Sequence, residues 1–149
     1  MPRPLLASLL AALLAGGCDS GPAPPPDPDP LGVTVEYRVS ATGAVFDPAV
    51  SYTEADGTTA EVTAVTLSTG YTQTIDLAPG ATGTFRLSAR GLVDAGVRIN
   101  VSVIAAETGD PSNVVASATD VAVSSVDATE VTAAAEVTVP ILLPPTEDE

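Results

Sequence analysis

Val33-Thr34-Val35-Glu36-Tyr37-Arg38-Val39-Ser40 alternates without a break. Val33, Val35, Tyr37 and Val39 fall on one side of an extended chain, and Thr34, Glu36, Arg38 and Ser40 on the other. Side chains of a strand point alternately to opposite faces, so the run predicts a half-buried β-strand. Its Val, Thr and Tyr residues suit a pleated surface. The same period of two continues outward. It predicts strands at Ala49–Thr53, Thr59–Leu67, Tyr71–Leu77, Gly83–Ala89, Val97–Ala105, Val114–Val123 and Glu130–Leu142. Phe85, Leu87 and Ala89 face inward, as do Val97, Ile99, Val101 and Val103. Even the Ala-rich piece Val131–Val137 keeps the alternation, with Val131, Ala133, Ala135 and Val137 on one side.

Turn residues separate these runs for backbone reasons. Asp56-Gly57 supplies the positive φ of a tight hairpin. Pro79-Gly80 has the signature of a type II turn, and Gly109-Asp110-Pro111 is expected to turn the chain. About eight short strands, each with one apolar and one polar face, predict an all-β fold. The architecture expected over residues 31–143 is an antiparallel two-sheet, immunoglobulin-like β-sandwich, with a barrel as the alternative. The Cys…Trp…Cys pattern of antibody domains is missing, because the chain has one Cys and no Trp.

Residues 1–17 have a different composition. Arg3 precedes the apolar run Leu5–Leu14, and the small residues Ala15-Gly16-Gly17 lead to Cys18. This is the anatomy of a secretory signal peptide. Its apolar core is well short of the roughly 20 residues that span a bilayer. Leu14-Ala15-Gly16-Gly17-Cys18 resembles the lipobox of bacterial lipoproteins. The resemblance implies cleavage before Cys18, a diacylglycerol on its thiol, and a chain held at a membrane in the bacterial cell envelope, outside the cytoplasm. Several acyl chains on one residue anchor durably where a single chain does not. Residues 18–30 then read as a tether. Pro22, Pro24, Pro25, Pro26, Pro28 and Pro30 favour polyproline II, and at ~3.1 Å per residue the segment reaches about 35–40 Å. Residues 144–149 read as a short acidic, disordered tail.

The body carries a second likeness. Val35-Glu-Tyr-Arg-Val-Ser-Ala-Thr-Gly43, Val50-Ser-Tyr-Thr-Glu-Ala-Asp-Gly-Thr58, Tyr71–Gly80 and Phe85-Arg-Leu-Ser-Ala-Arg90 follow one another as in the extracytoplasmic domain of the MmpS family, which the chain resembles over about residues 33–105. Those small envelope proteins accompany large lipid and siderophore exporters. Ser68-Thr69-Gly70 stands where that family has Pro-Trp before its fourth strand. The resemblance implies the β-fold and, as a partner, a membrane transporter or another envelope protein.

Composition removes most other chemistries. The 149 residues include 5 basic and 19 acidic side chains, for a net charge of −14. Nucleic acid needs Lys and Arg to displace counterions, so it is excluded as a partner. There is no His and no Lys, so Ser–His–Asp, Cys–His and Ser–Lys sites cannot be built. No cofactor is expected. Glu107, Asp110 and Asn113 around one turn, with Asp94 nearby, are weak calcium candidates, because calcium takes several carboxylate and carbonyl oxygens. Asp and Asn also belong in turns for backbone reasons. Arg86, Arg90 and Arg98 are expected to face outward, either forming a small positive strip on neighbouring strands or pairing with nearby acids. The function expected is a non-enzymatic, membrane-anchored binding or accessory module, in its most specific form the support of an exporter. The alternatives are a structural or adhesive surface lipoprotein and, remotely, a carboxylate-dependent glycan hydrolase.

Overall fold

The computed structural model describes residues 26–145. The signal segment, Cys18, most of the tether and residues 146–149 of the tail lie outside the described residues. The strands are β1 (Val33–Ala41), β2 (Val45–Thr53), β3 (Thr59–Val62), β4 (Tyr71–Leu77), β5 (Gly83–Val93), β6 (Arg98–Glu107), β7 (Asp110–Val123) and β8 (Thr129–Val139). Among the described residues the only helical element is one 3-10 turn, Leu67–Thr69. No helix there is long and apolar enough to cross a membrane.

The strands form two four-stranded antiparallel sheets, a front sheet in the order β4-β1-β6-β7 and a back sheet in the order β3-β2-β5-β8. The expected sandwich is the observed one. Among the described residues only the β2–β3 and β6–β7 hairpins stay within a sheet, and the other connections between strands cross from one sheet to the other. The alternation of β1 explains its central place. Val33, Val35, Tyr37 and Val39 are all buried, against Leu87, Ala89, Val101, Val103, Ala135 and Val137. Each fully buried Val or Leu contributes roughly 1.5–3 kcal/mol of transfer free energy, so this apolar seam between the faces holds the sheets together.

The Asp56-Gly57 turn is as expected, with Gly57 at φ 84° and the Gly57 N–H donating to Glu54 O at 3.0 Å. At Pro79-Gly80 the Ala81 N–H donates to Ala78 O at 2.9 Å with Gly80 at φ 78°, which is a type II turn. Four expectations need correction. β2 begins at Val45 rather than Ala49; Asp47, at φ 48°, and Pro48 form a bulge opposite Gly91, so a proline that reads as a strand breaker sits where the ladder is already interrupted. β3 stops at Val62, because the chain must then leave the back sheet for the front one, and Leu67 drops into the core at that crossing. The β6–β7 turn is Thr108-Gly109, with Gly109 at φ 90°, and Asp110-Pro111 already belongs to β7, where an edge strand tolerates proline. β8 ends at Val139, since Pro140 lacks the N–H a ladder needs.

The two ends of the domain meet. The Leu31 N–H donates to Leu142 O at 2.7 Å, and Pro30 packs against Gly80. The first and last described residues therefore leave from one pole. The opposite pole is closed by two turns bonded to each other: the Gly96 N–H donates to Ser124 O at 2.9 Å, and the Ala95 N–H to the Asp127 carboxylate at 2.8 Å.

Candidate binding face on the front sheet

β1 is an interior strand, flanked by β4 and β6, so its outward side chains stand in the middle of a polar floor. Register places Asp76, Thr74 and Thr72 of β4 beside Thr34, Glu36 and Arg38. On the other side Ala106, Ile104, Ser102 and Asn100 of β6 lie beside Thr34, Glu36, Arg38 and Ser40. Ser117, Thr119 and Val121 of β7 extend the floor. Two adjoining clefts open on it. One, of about 490 Å³, is lined by Arg38, Ser40, Thr72, Asn100, Ser102 and Thr119 among others. The second, of about 300 Å³, is lined by Thr34, Glu36, Arg38, Ile104, Pro111 and Val114 among others. Arg38 lines both.

Arg38 Nε donates to the Glu36 carboxylate two residues back on the same face. The Arg38 side chain is 58% exposed, so the pair adds well under 1 kcal/mol to stability. Its effect is positional: it holds the guanidinium between the clefts, and the terminal nitrogens have no protein partner among the described residues. Around it stand the hydroxyls of Ser40, Thr72, Ser102 and Thr119 and the amide of Asn100. These groups both donate and accept hydrogen bonds, and the guanidinium only donates.

Beside the larger cleft lies a tyrosine cluster that joins the sheets. All three tyrosines of the chain take part. The Tyr37 and Tyr52 rings are 5.4 Å apart and tilted by 40°. The Tyr37 hydroxyl donates to Thr53 O at 2.6 Å, tying the front sheet to the back one. Burial pushes the Tyr37 hydroxyl far up from its ordinary value, with Tyr52 adding to the shift. Tyr71, which lines the large cleft, is pushed up to about 12, again by burial first and Tyr52 second. Neither phenol is prepared to act as a base near neutral pH.

The acidic residues have structural partners. Asp76 accepts from the Thr34 hydroxyl at 2.7 Å, Asp56 from Thr58, and Asp120 from the Ala134 N–H at 2.9 Å across the gap between β7 and β8. The calcium candidates are distributed the same way. Asn113 Nδ2 donates to Glu107 at 2.8 Å, while Asp110 receives both the hydroxyl and the N–H of Ser112, which lower its pKa. Thr58 lowers Asp56 likewise. Asp94 is not nearby: it precedes β6, whereas Glu107 ends it, roughly 30 Å away at about 3.3 Å per residue. Among the described residues no group of three metal-ligating side chains is assembled.

Of the two arrangements expected for the outward arginines, the positive strip is not formed. Arg86 and Arg90 are on β5 in the back sheet, and Arg98 opens β6 in the front one, because β5 and β6 belong to different sheets. Arg90 Nη1 lies 3.8 Å from Glu130, and Arg86 stands opposite Glu136. The residue that organises the front face, Arg38, was visible on the polar side of β1 but carried no mark of its importance. That mark is the interior position of β1, which depends on strand order. Cys18, the lipidation candidate, lies outside the described residues. No family model matches this chain, and no curated protein matches it significantly.

Proposed function

We propose that this protein is a non-enzymatic binding module of the bacterial envelope, lipid-anchored through Cys18, whose front sheet holds a neutral, hydroxyl-rich ligand such as a saccharide. The observation that carries the reading is the pair of clefts meeting at Arg38, with hydroxyl and amide side chains projecting from four adjacent strands. Such groups hydrogen-bond polyols from fixed positions, because they stand on strands rather than loops. An anionic polymer would be repelled by a chain of net charge −14. The shared pole of Leu31 and Leu142 fits a domain hung from its N-terminal tether with the floor turned sideways to the membrane.

Two measurements test this. Mass spectrometry of the protein purified from bacterial membranes is expected to find Cys18 as an acylated first residue; an unmodified thiol on an unprocessed chain refutes the anchor. Amide NMR with a panel of neutral and acidic oligosaccharides is expected to shift Arg38, Asn100, Ser102 and Thr119 with a neutral one. Shifts confined to the back sheet, or none, refute the site. The exporter-accessory form of the proposal further expects crosslinking of the same face to a large inner-membrane transporter. Adhesion is the second reading, favoured by Phe46, Val123 and Val126, which are exposed toward the pole opposite Leu31. It expects cleavage of the protein by protease added to whole cells.

A further inference from the structure

The four sheet edges are not equally protected. β3 is four residues long and carries the exposed Glu61. β7 and β8 face each other, and the Asp120 carboxylate caps the Ala134 N–H. Among the described residues β4 has no such cover. It is seven residues long, borders β1 on one side only, and has a single charge, Asp76, in Tyr71-Thr-Gln-Thr-Ile-Asp-Leu77. Natural edge strands are commonly blunted by charge, proline, bulges or brevity, and β4 uses none of these over its first five residues.

The polarity of the edge is also visible. The Thr42 N–H donates to Arg98 O and the Thr108 N–H to Gly32 O, so even-numbered positions along β1 bond to β6 and odd-numbered ones to β4. Thr74, opposite Glu36, therefore turns its backbone groups away from β1, and Gln73 Nε2 donates to its carbonyl at 3.2 Å. Strand geometry then turns the backbone groups of Thr72 and Asp76 the same way. We infer that β4 is a self-pairing edge: two copies of this chain join through antiparallel β4–β4 pairing with Thr74 on the two-fold axis. In that register Thr74 meets Thr74, Thr72 meets Asp76, Gln73 meets Ile75 and Tyr71 meets Leu77. Each Asp76 carboxylate finds a neutral Thr72 hydroxyl, and the half-buried Tyr71, Gln73 and Ile75 gain cover. The two Asp76 carboxylates are four residues apart along the pairing, about 13 Å, beyond the ~8 Å screening length of physiological salt. Centring the axis on Asp76 instead sets two carboxylates face to face, and centring it on Thr72 leaves half the strand unpaired. This fit of β4 to its own reverse singles out a second copy as the occupant.

The pairing makes one eight-stranded sheet and carries the second copy's Asp76 to the rim of the larger cleft, where Thr72 stands. Because the strands run antiparallel, the poles bearing Leu31 lie at opposite ends of the dimer.

Sedimentation velocity of the full chain, from low to high micromolar, tests the inference. The wild type is expected to pass from monomer to dimer, more readily as salt screens its negative charge. Thr74→Lys and Thr74→Glu each place like charges on the axis and are expected to weaken the dimer about fivefold, with circular dichroism unchanged. An equal mixture of T74K and T74E is expected to dimerise at least as well as the wild type. A monomer at every concentration overturns the inference, as does a dimer indifferent to T74K or a mixture that fails to recover.

Discussion

Gly91→Ala tests whether the β2 bulge and the back sheet are matched as described. Gly91 lies in β5 beside the bulge that Asp47 and Pro48 make in β2. A Cβ at this position sits 2.4 Å from Val45 Cγ1, 3.1 Å from Phe46 O and 3.4 Å from Pro48 Cα. Carbon atoms prefer about 3.5–4.0 Å, so the first overlap exceeds an ångström. Val45 is stiff at χ1, and the other two neighbours are backbone, so relief requires the bulge itself to move. Overpacking of this kind costs about 1–3 kcal/mol. A midpoint of 2 kcal/mol lowers Tm by about 8–10 °C in a domain of this size. Calorimetry and urea denaturation measure it. The stronger check is a double-mutant cycle with Val45→Ala, which removes the closest methyl. In that background G91A is expected to cost no more than half as much, the residue being the clash with Phe46 O. A G91A protein as stable as the wild type, or a cost unchanged by V45A, refutes the close approach.

Three further outcomes follow from the tyrosine cluster and the loops. Tyr37→Phe leaves Thr53 O without its donor, and is expected to cost about 1–2 kcal/mol in urea with the m-value unchanged. Tyr37 and Tyr71 are raised in the folded state above the ordinary tyrosine value of about 10. Their protonated forms therefore add stability that is complete below pH 10 and is lost as pH rises toward about 12. Tyrosinate absorbance at 295 nm and the β signal in circular dichroism are expected to change together in that window; full ionisation near pH 10 with the fold intact refutes the burial. Calcium or a chelator is expected to leave Tm within about 1 °C of its starting value, since Asn113 and Ser112 occupy Glu107 and Asp110; a rise of several degrees on adding calcium shows a site formed by rearrangement.

The alternating runs made most of the architecture legible. Val33–Val39 and Phe85–Ala89 bury the side chains that their period of two marks as apolar, because burial of one sheet face is a local property of the strand. Asp56-Gly57 and Pro79-Gly80 were legible for the same reason: a turn needs its φ values whatever surrounds it. Errors arose where a distant partner decides. The alternation at Ala49–Thr53 does not extend back to Val45, because the bulge at Asp47 and Pro48 depends on the room Gly91 leaves on β5. Leu67 reads as the end of a strand until the chain has to cross between sheets. The candidate site was half visible. The polar side of β1 was plain from Glu36 and Arg38, but Thr72, Asn100 and Thr119 come from strands whose adjacency no local pattern encodes.

The hydrogen bond from the Leu31 N–H to Leu142 O has a mechanical side. Any pull transmitted through residue 31 is delivered to the start of β1, a strand laddered on both sides, to β4 and to β6. Those hydrogen bonds lie across the direction of the load, so they resist it together rather than opening one at a time. A domain suspended in flowing medium from this end would bear drag in shear, its most resistant geometry, and the clasp at Leu142 would be the first bond to give.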